Sequence, residues 1–251
     1  MKKVIIIAAG KGSRLGNLTK DLPKTLLQIN KKSILDHQIE IYHKSGITDI
    51  NIIVGYQSHK FNNRSEKIIH NTDYENNNIL ESLFYAEDII KDECIISYSD
   101  IIFRLEVVTE LVKDNNPITI VVDTKWKKSY LNRTMHPVSE AEKVQFNHEQ
   151  ELIKIGKNIS LEQTNAEFIG MLKLNTEGAK IFKKFYHTAK AKYSNDAFFS
   201  ALSFQKAYIT DFLNYLIYNN ITVNCLVIEG GWMEIDTPQD YNNAPNFFVK
   251  I

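Results

Sequence analysis

The residues best suited to chemistry sit near the start of the chain: Gly10, Gly12, Ser13, Arg14 and Lys24. They follow the run VIIIAA at residues 4–9, which ends in Ala8 and Ala9. Its length and continuous apolar character suit a strand buried on both faces of a parallel sheet. Gly10 and Gly12 let the backbone turn sharply and bring its N–H groups to a ligand with no Cβ in the way. Amides exposed beside Lys11, Arg14 and Lys24 make an anion receptor matched to a polyphosphate. Two common phosphate loops do not fit. A dinucleotide fingerprint needs glycine where Leu15 stands, and a P-loop needs glycine there and lysine in place of Gly16. Without a ligand the stretch is a tight turn with solvated lysines.

The elements that position this loop follow in α/β rhythm. Ser33 is placed to cap a helix over 34–44 that Gly46 ends, and residues 49–54 (DINIIV) form a second strand. A short strand at 68–69 precedes Asn76-Asn77-Asn78, which opens a helix reaching about residue 90 and carrying Asn78 and Ser82 on one face. A third buried strand, 94–100, ends in Asp100, beyond the carboxyl end of a parallel strand, where open sheets bind ligands. Helix 106–113 and strand 117–122 come next. Alternation over 144–155 predicts an antiparallel hairpin acting as a lid or acceptor wall, before an apolar strand at 166–171. Helices over 176–190, 195–203 and 207–219 lead to a last core strand at 221–228. Asp236-Thr237-Pro238 then opens a final helix, with Asp236 as its cap or free for another role. The expected fold class is α/β: a Rossmann-like, mostly parallel sheet flanked by helices, with a small antiparallel lid. We expect a single domain over 1–251, with an insertion at about 123–170.

Composition bounds the partners. The chain has 251 residues, 43% of them hydrophobic, and its 30 Lys and Arg balance 30 Asp and Glu. No block of like charge suggests a nucleic-acid partner, and no run approaches the roughly 20 apolar residues of a membrane span. Cys94 and Cys225 lie in apolar runs and read as buried thiols of a reducing compartment. The start, MKKVIIIAAG, has too short an apolar core for a secretory signal. A cytoplasmic protein is expected, and a homodimer is admitted but not specified.

The motif A-A-G-x-G-S-R-L, with Pro23-Lys24 ending ten residues after Arg14, resembles the opening signature of the sugar-nucleotidyltransferase (pyrophosphorylase) superfamily. The resemblance implies nucleotide binding by Ala8, Ala9, Gly10, Gly12, Ser13, Asn78, Ser82 and Asp100, with Arg14 and Lys24 catalytic. It also implies Mg²⁺ as cofactor, with Asp100 and Asp236 as ligands, the latter in E-I-D-T-P-x-D-Y. Asn77-Asn78-x-x-x-Ser82 would lie beside base and ribose; without the resemblance, these asparagines are simply a helix cap. Further along, Asp123, Trp126, Arg133, His136, Pro137, Glu140, Glu142 and Lys143, then Gly156-Lys157 and residues 167–170, are similar to the branch containing phosphocholine and phosphonate cytidylyltransferases.

That likeness implies attack of an acceptor phosphate or phosphonate on the α-phosphorus of CTP or another triphosphate, releasing pyrophosphate. No general base is needed, because the attacking oxygen is already ionised, and the histidines are expected at the surface. Trp126, Tyr130, Tyr208 and Trp232, with Glu140, Glu142, Glu167 and Asp211, are candidates to receive a cationic head group through cation–π and charge contacts. Lys143 and Arg133 complete the acceptor set, Arg133 for an acceptor carboxylate. Phosphocholine, 2-aminoethylphosphonate and phosphoglutamine all remain open as acceptors. Two alternatives stand beside this reading: a sugar-1-phosphate nucleotidyltransferase, and a non-catalytic nucleotide sensor of the same fold.

Overall fold

The computed structural model describes residues 2–194 and 196–249. In chain order its strands are β1 (Lys3–Ala8), β2 (Gln28–Ile29), β3 (Lys32–Ser33), β4 (Asp49–Val54), β5 (Lys67–His70), β6 (Cys94–Tyr98), β7 (Ile101–Phe103), β8 (Ile118–Asp123), β9 (Lys143–Phe146), β10 (Leu152–Gly156), β11 (Ala166–Leu174), β12 (Asn224–Ile228) and β13 (Trp232–Glu234). The α-helices are α1 (Ile34–Lys44), α2 (Ile79–Phe84), α3 (Leu105–Lys113), α4 (Thr176–Tyr193), α5 (Ile209–Tyr218) and α6 (Pro238–Asn243).

The core is the parallel run β6-β1-β4-β5. β11 joins it antiparallel to β6, and β8 pairs antiparallel with β11 and parallel with β12. The sheet is therefore mixed, with a parallel core. Apolar side chains cover both faces: Ile5, Ile7 and Ile53 pack with α2, α4 and α5 on one, Val4, Ile6 and Ile52 with α1 and α3 on the other. The antiparallel hairpin is present as β9–β10, but β9 also pairs with β11, so it extends the main sheet and is not a separate lid.

Local rules explain several boundaries. The Ser33 side chain accepts from the Asp36 amide and starts α1. The helix starting at Ile79 stops at Phe84, short of the expected end, and continues only as a 3₁₀ turn over Glu87–Ile89. No helix follows α4 directly: Phe198 and Ala201 exchange backbone hydrogen bonds in a tight turn, with Phe198 buried against Phe204. The expected helix over 195–203 is thus absent where described, and Asn195 lies outside the described residues. Among the described residues, no helix is long and apolar enough to cross a membrane.

A third, smaller core matters most for function. Leu15, Leu27, Ile34, Ile102, Ile235 and Ala244 pack together. Leu15 neighbours Arg14, and Ile235 neighbours Asp236. Burying one such side chain contributes about 1.5–3 kcal/mol, so apolar packing holds the charged residues beside them in place.

Candidate active site

A cleft of about 370 Å³ opens beyond the carboxyl ends of β1 and β6. Its entrance to the sheet is the glycine loop. Gly12 has φ +63°, and a Cβ there would lie 2.8 Å from the Lys24 Cβ, so glycine lets Lys24 pass close to the loop. Gly10 differs from expectation: its φ is not in the left-handed region, and a Cβ would meet nothing within 4 Å. After Gly12 the chain forms 3₁₀ turns over Ser13–Thr19.

A two-stranded antiparallel sheet brings the distant acids together. β13 pairs with β7, matching Glu234 to Ile101, and the Ile235 amide donates to the Asp100 carbonyl at 2.8 Å. The residue before β7 and the residues after β13 thereby become neighbours. The Lys24 ammonium lies between them, 2.7 Å from Asp100 Oδ2 and 2.9 Å from Asp236 Oδ1. Arg14 Nη1 is 2.7 Å from Asp236 Oδ2. Asp236 does not cap α6. Thr237 does so, and Asp240 returns hydrogen bonds to the amides of Asp236 and Thr237. The Asp236 carboxylate is free for the cleft. Burial opposes the charges on Asp236 and Lys24 but is outweighed. His136, Lys24 and Arg14 hold the Asp236 carboxyl below the usual carboxylate range, and Asp100 and Asp236 hold Lys24 above the usual lysine range.

Ala8, Ala9, Gly10, Gly12, Ser13, Arg14, Lys24, Asn78, Ser82, Asp100 and Asp236 all line the cleft, and from the acceptor set so do Glu140, Glu142, Glu167, Tyr208 and Trp232. Asn78 caps α2, accepting from the Ile79 amide, and also lines the cleft, so its cap role does not remove it from the site. Glu140 is 2.7 Å from Lys157 Nζ and 3.7 Å from Arg14. The Trp232 indole donates to Asp123 at 2.9 Å. Burial pushes the Glu142 carboxyl up to about 8, with Glu234 and Asp100 adding to the effect and Lys157 opposing it. Burial also raises Glu167 to about 8, opposed by a hydrogen bond from Tyr130 and supported by Glu234.

Five expected acceptor residues do not line this cleft, among them Tyr130, whose hydroxyl donates to Glu167. Trp126 is 1% exposed and packs edge-on against Tyr130; its bulk is spent on the core. Arg133 clamps Asp240 with bonds of 2.7 and 3.0 Å and reaches Glu234 at 3.0 Å. It faces a side cavity of about 120 Å³ that shares Glu167, Trp232 and Glu234 with the cleft. Lys143 is buried as the cross-strand neighbour of Glu167, with no ion pair among the described residues. Asp211 accepts from the Tyr208 amide and from the Ser200 amide and hydroxyl, so it organises the start of α5.

Sequence reasoning also missed residues. His136 is no surface histidine: it is 3% exposed, with Nδ1 3.1 Å from Asp236 Oδ2 and Nε2 3.6 Å from Glu234 Oε2. Ligand atoms of His136, Glu234 and Asp236 lie within 4.8 Å of one another, a second grouping able to hold a cation. Glu234 was signalled by standing two residues before Asp236 on extended chain, a spacing that shares a side. Asn71 gave no signal. It is buried and exchanges hydrogen bonds with Asn77 at 2.9 and 3.0 Å while donating to Ser82 Oγ at 3.1 Å, so it braces the end of the cleft that Asn77 and Ser82 line.

Residues 3–130, half the chain, match the family model described as Nucleotidyl transferase. The chain belongs to this nucleotidyl transferase family. Over 250 residues this nucleotidyltransferase is 32% identical to the CTP:phosphoglutamine cytidylyltransferase of Campylobacter jejuni, covering 94% of this chain and 96% of that one. It is 36% identical to the choline-phosphate cytidylyltransferase of Streptococcus pneumoniae over 106 residues, 41% of this chain and 46% of that one. Its fold matches the inositol-1-phosphate CTP transferase from T. maritima with a TM-score of 0.76 at 21% identity, covering 100% of this chain and 96% of the other. The nucleotidyltransferase thus carries its family's enzyme fold over its whole length.

Proposed function

We propose that this enzyme transfers the cytidylyl group of CTP to a small phosphate or phosphonate acceptor and releases pyrophosphate. The observation that carries the reading is the Lys24 ammonium held between Asp100 and Asp236 beside the glycine loop. The cytidylyltransferases among the relatives support the choice of CTP. An acceptor oxyanion forms a bond to the α-phosphorus as the bond to the β-phosphate oxygen breaks, and the electron pair leaves with pyrophosphate. Little covalent work falls to the protein, so positioning and charge dominate. Arg14 and the amides of Gly10–Ser13 hold the β and γ phosphates, Lys24 offers its charge to the α-phosphate, and Asn78 and Ser82 face base and ribose.

The acids also fit a divalent ion. Asp100 and Asp236 already turn hard oxygens onto one cation, the Lys24 ammonium, and that donor set suits Mg²⁺. These are the residues that would hold it, and when bound it supplies Lewis-acid charge to the phosphate oxygens. The proposed setting is the cytoplasm, in keeping with two buried cysteines that form no disulfide.

The test is a thermal-shift screen of CTP, UTP, GTP and ATP with Mg²⁺, followed by pyrophosphate release with an acceptor panel. CTP should give the largest shift, and release should require an acceptor. Release only with sugar 1-phosphates would replace this reading with a sugar nucleotidyltransferase. Binding of CTP without release from any combination would favour a nucleotide sensor.

A further inference from the structure

The acceptor wall carries buried polar atoms that no protein group satisfies. Glu167 is 4% exposed; its Oε1 takes the Tyr130 hydroxyl, but its Oε2 has no partner. The Tyr98 hydroxyl is buried beside the Glu142 carboxyl, with which it interacts without making a short hydrogen bond. Its ring lies against Gly170, where φ is +80° and a Cβ would come within 2.5 Å of the ring. Glycine at this bulge in β11 therefore lets Tyr98 stand beside the cleft. Glu142 lines the same cleft and has no ion-pair partner among the described residues.

Orphaned acceptors at this depth ask for N–H donors. They do not form the aromatic box that would suit a methylated cation. Trp126 is turned into the core, the Trp232 indole N–H is given to Asp123, and the Tyr208 ring already has the Lys157 ammonium 5.8 Å from its centre. A quaternary ammonium brings positive charge but no N–H, and would leave Glu167 Oε2 unsatisfied. A primary ammonium brings charge and three donors. We infer that the acceptor carries a primary ammonium, recognised by hydrogen bonds from its N–H groups to Glu167, Glu142 and Tyr98. The raised carboxyl groups of Glu142 and Glu167 fit a wall whose counter-charge arrives with the substrate. This inference rests on the proposed cytidylyl transfer.

The experiment measures pyrophosphate release by the full chain with saturating CTP and four acceptors: 2-aminoethyl phosphate, its N-methyl derivative, phosphocholine, and propyl phosphate, which lacks the ammonium. The expected result is a fall in kcat/KM with methylation, at least ~10-fold from primary to quaternary ammonium, with propyl phosphate poorer still. Glu167→Gln should shrink the primary-over-quaternary preference at least ~5-fold while the KM for CTP stays unchanged, which also shows that the variant is folded. Phosphocholine or propyl phosphate performing as well as the primary amine overturns this inference and leaves the cytidylyl transfer standing. A Glu167→Gln variant that keeps the full preference overturns it as well. Silence of all four acceptors with CTP overturns the transfer reading and this inference with it.

Discussion

The two walls of the cleft, one proposed for the nucleotide and one for the acceptor, follow opposite electrostatic plans. On the nucleotide wall every charge is answered: Lys24 lies between Asp100 and Asp236, and Arg14 meets Asp236 at 2.7 Å. Lys24 and Asp236 are held in their ionised forms despite burial. On the acceptor wall Glu142 is half-buried and Glu167 buried, neither has an ion-pair partner among the described residues, and burial shifts both toward their neutral forms. The first wall is complete without a ligand, whereas the second, on the proposed reading, is completed by one. Preorganised charge serves a reaction whose difficulty is electrostatic, and an unmatched wall discriminates among substrates by leaving polar groups unpaired beside the wrong one.

The largest effect should come from the complete wall. Asp236→Asn removes one charge from a set that acts as a unit, and we expect a loss of about 10²–10³ in kcat, or ~3–4 kcal/mol. Its thermal midpoint should move far less than that. Steady-state kinetics beside a melting curve make the comparison, and a variant with near wild-type turnover would end the claim that this wall is preorganised for catalysis. Arg14→Ala and Lys24→Ala should fall in the same class.

Next comes Arg133, which the sequence suggested for the acceptor and the structure gives to Asp240. Its guanidinium is 10% exposed and the Asp240 carboxylate 4%. Removing one partner of a buried pair costs ~3 kcal/mol, so Arg133→Ala should lower the unfolding free energy by about that amount. The KM for acceptor should change little compared with Glu167→Gln. The reverse pattern, a stable protein with a much raised acceptor KM, would return Arg133 to the acceptor wall.

This contrast also explains what the sequence could disclose. The nucleotide wall was legible because it depends on short-range features: a buried strand, glycines that free the backbone, and Lys24 at a fixed spacing from Arg14. Asp100 was legible as an acid ending a strand and Asp236 as an acid opening the last helix, but their meeting depends on the pairing of β7 with β13. The acceptor wall depends on long-range choices that periodicity does not encode. Trp126 and Trp232 are equally plausible as aromatics, yet only Trp232 is held at the cleft, by Asp123, 109 residues away. Arg133 finds Asp240 across 107 residues. Residues 196–203 look helical from composition, but burial of Phe198 against Phe204 is better served by a turn.

The unmatched wall should show itself in stability as pH changes. Glu142 keeps its proton in the folded protein up to about 8, whereas in the unfolded chain it ionises at about 4.3. The unfolded state therefore binds fewer protons between these values, and stability falls as pH rises through the window. Glu142→Gln cannot ionise, so it should flatten that fall, raising stability at pH 8 relative to wild type and changing it little at pH 4. Melting curves of both proteins across this range test the sign. A variant less stable than wild type at pH 8 would mean that Glu142 is already compensated.

The smallest effect is expected at Asp211, whose position near the acceptor wall is misleading. Its Oδ2 accepts from the Tyr208 amide, and its Oδ1 from the Ser200 amide and hydroxyl. Each carboxylate oxygen is thereby committed to the entry of α5, leaving neither for a substrate. Asp211→Ala should cost about 1 kcal/mol, the usual scale for losing a helix N-terminal cap. Tyr208 lines the cleft through its side chain, but Lys157 over its ring and the burial of Ile209 beside it still restrain its position. The acceptor KM should therefore move less than about 3-fold, the size of effect a loosened neighbour would give and well below that of a lost ammonium contact. A larger rise in KM with unchanged stability would extend the acceptor wall to α5 and blur the boundary between the two plans.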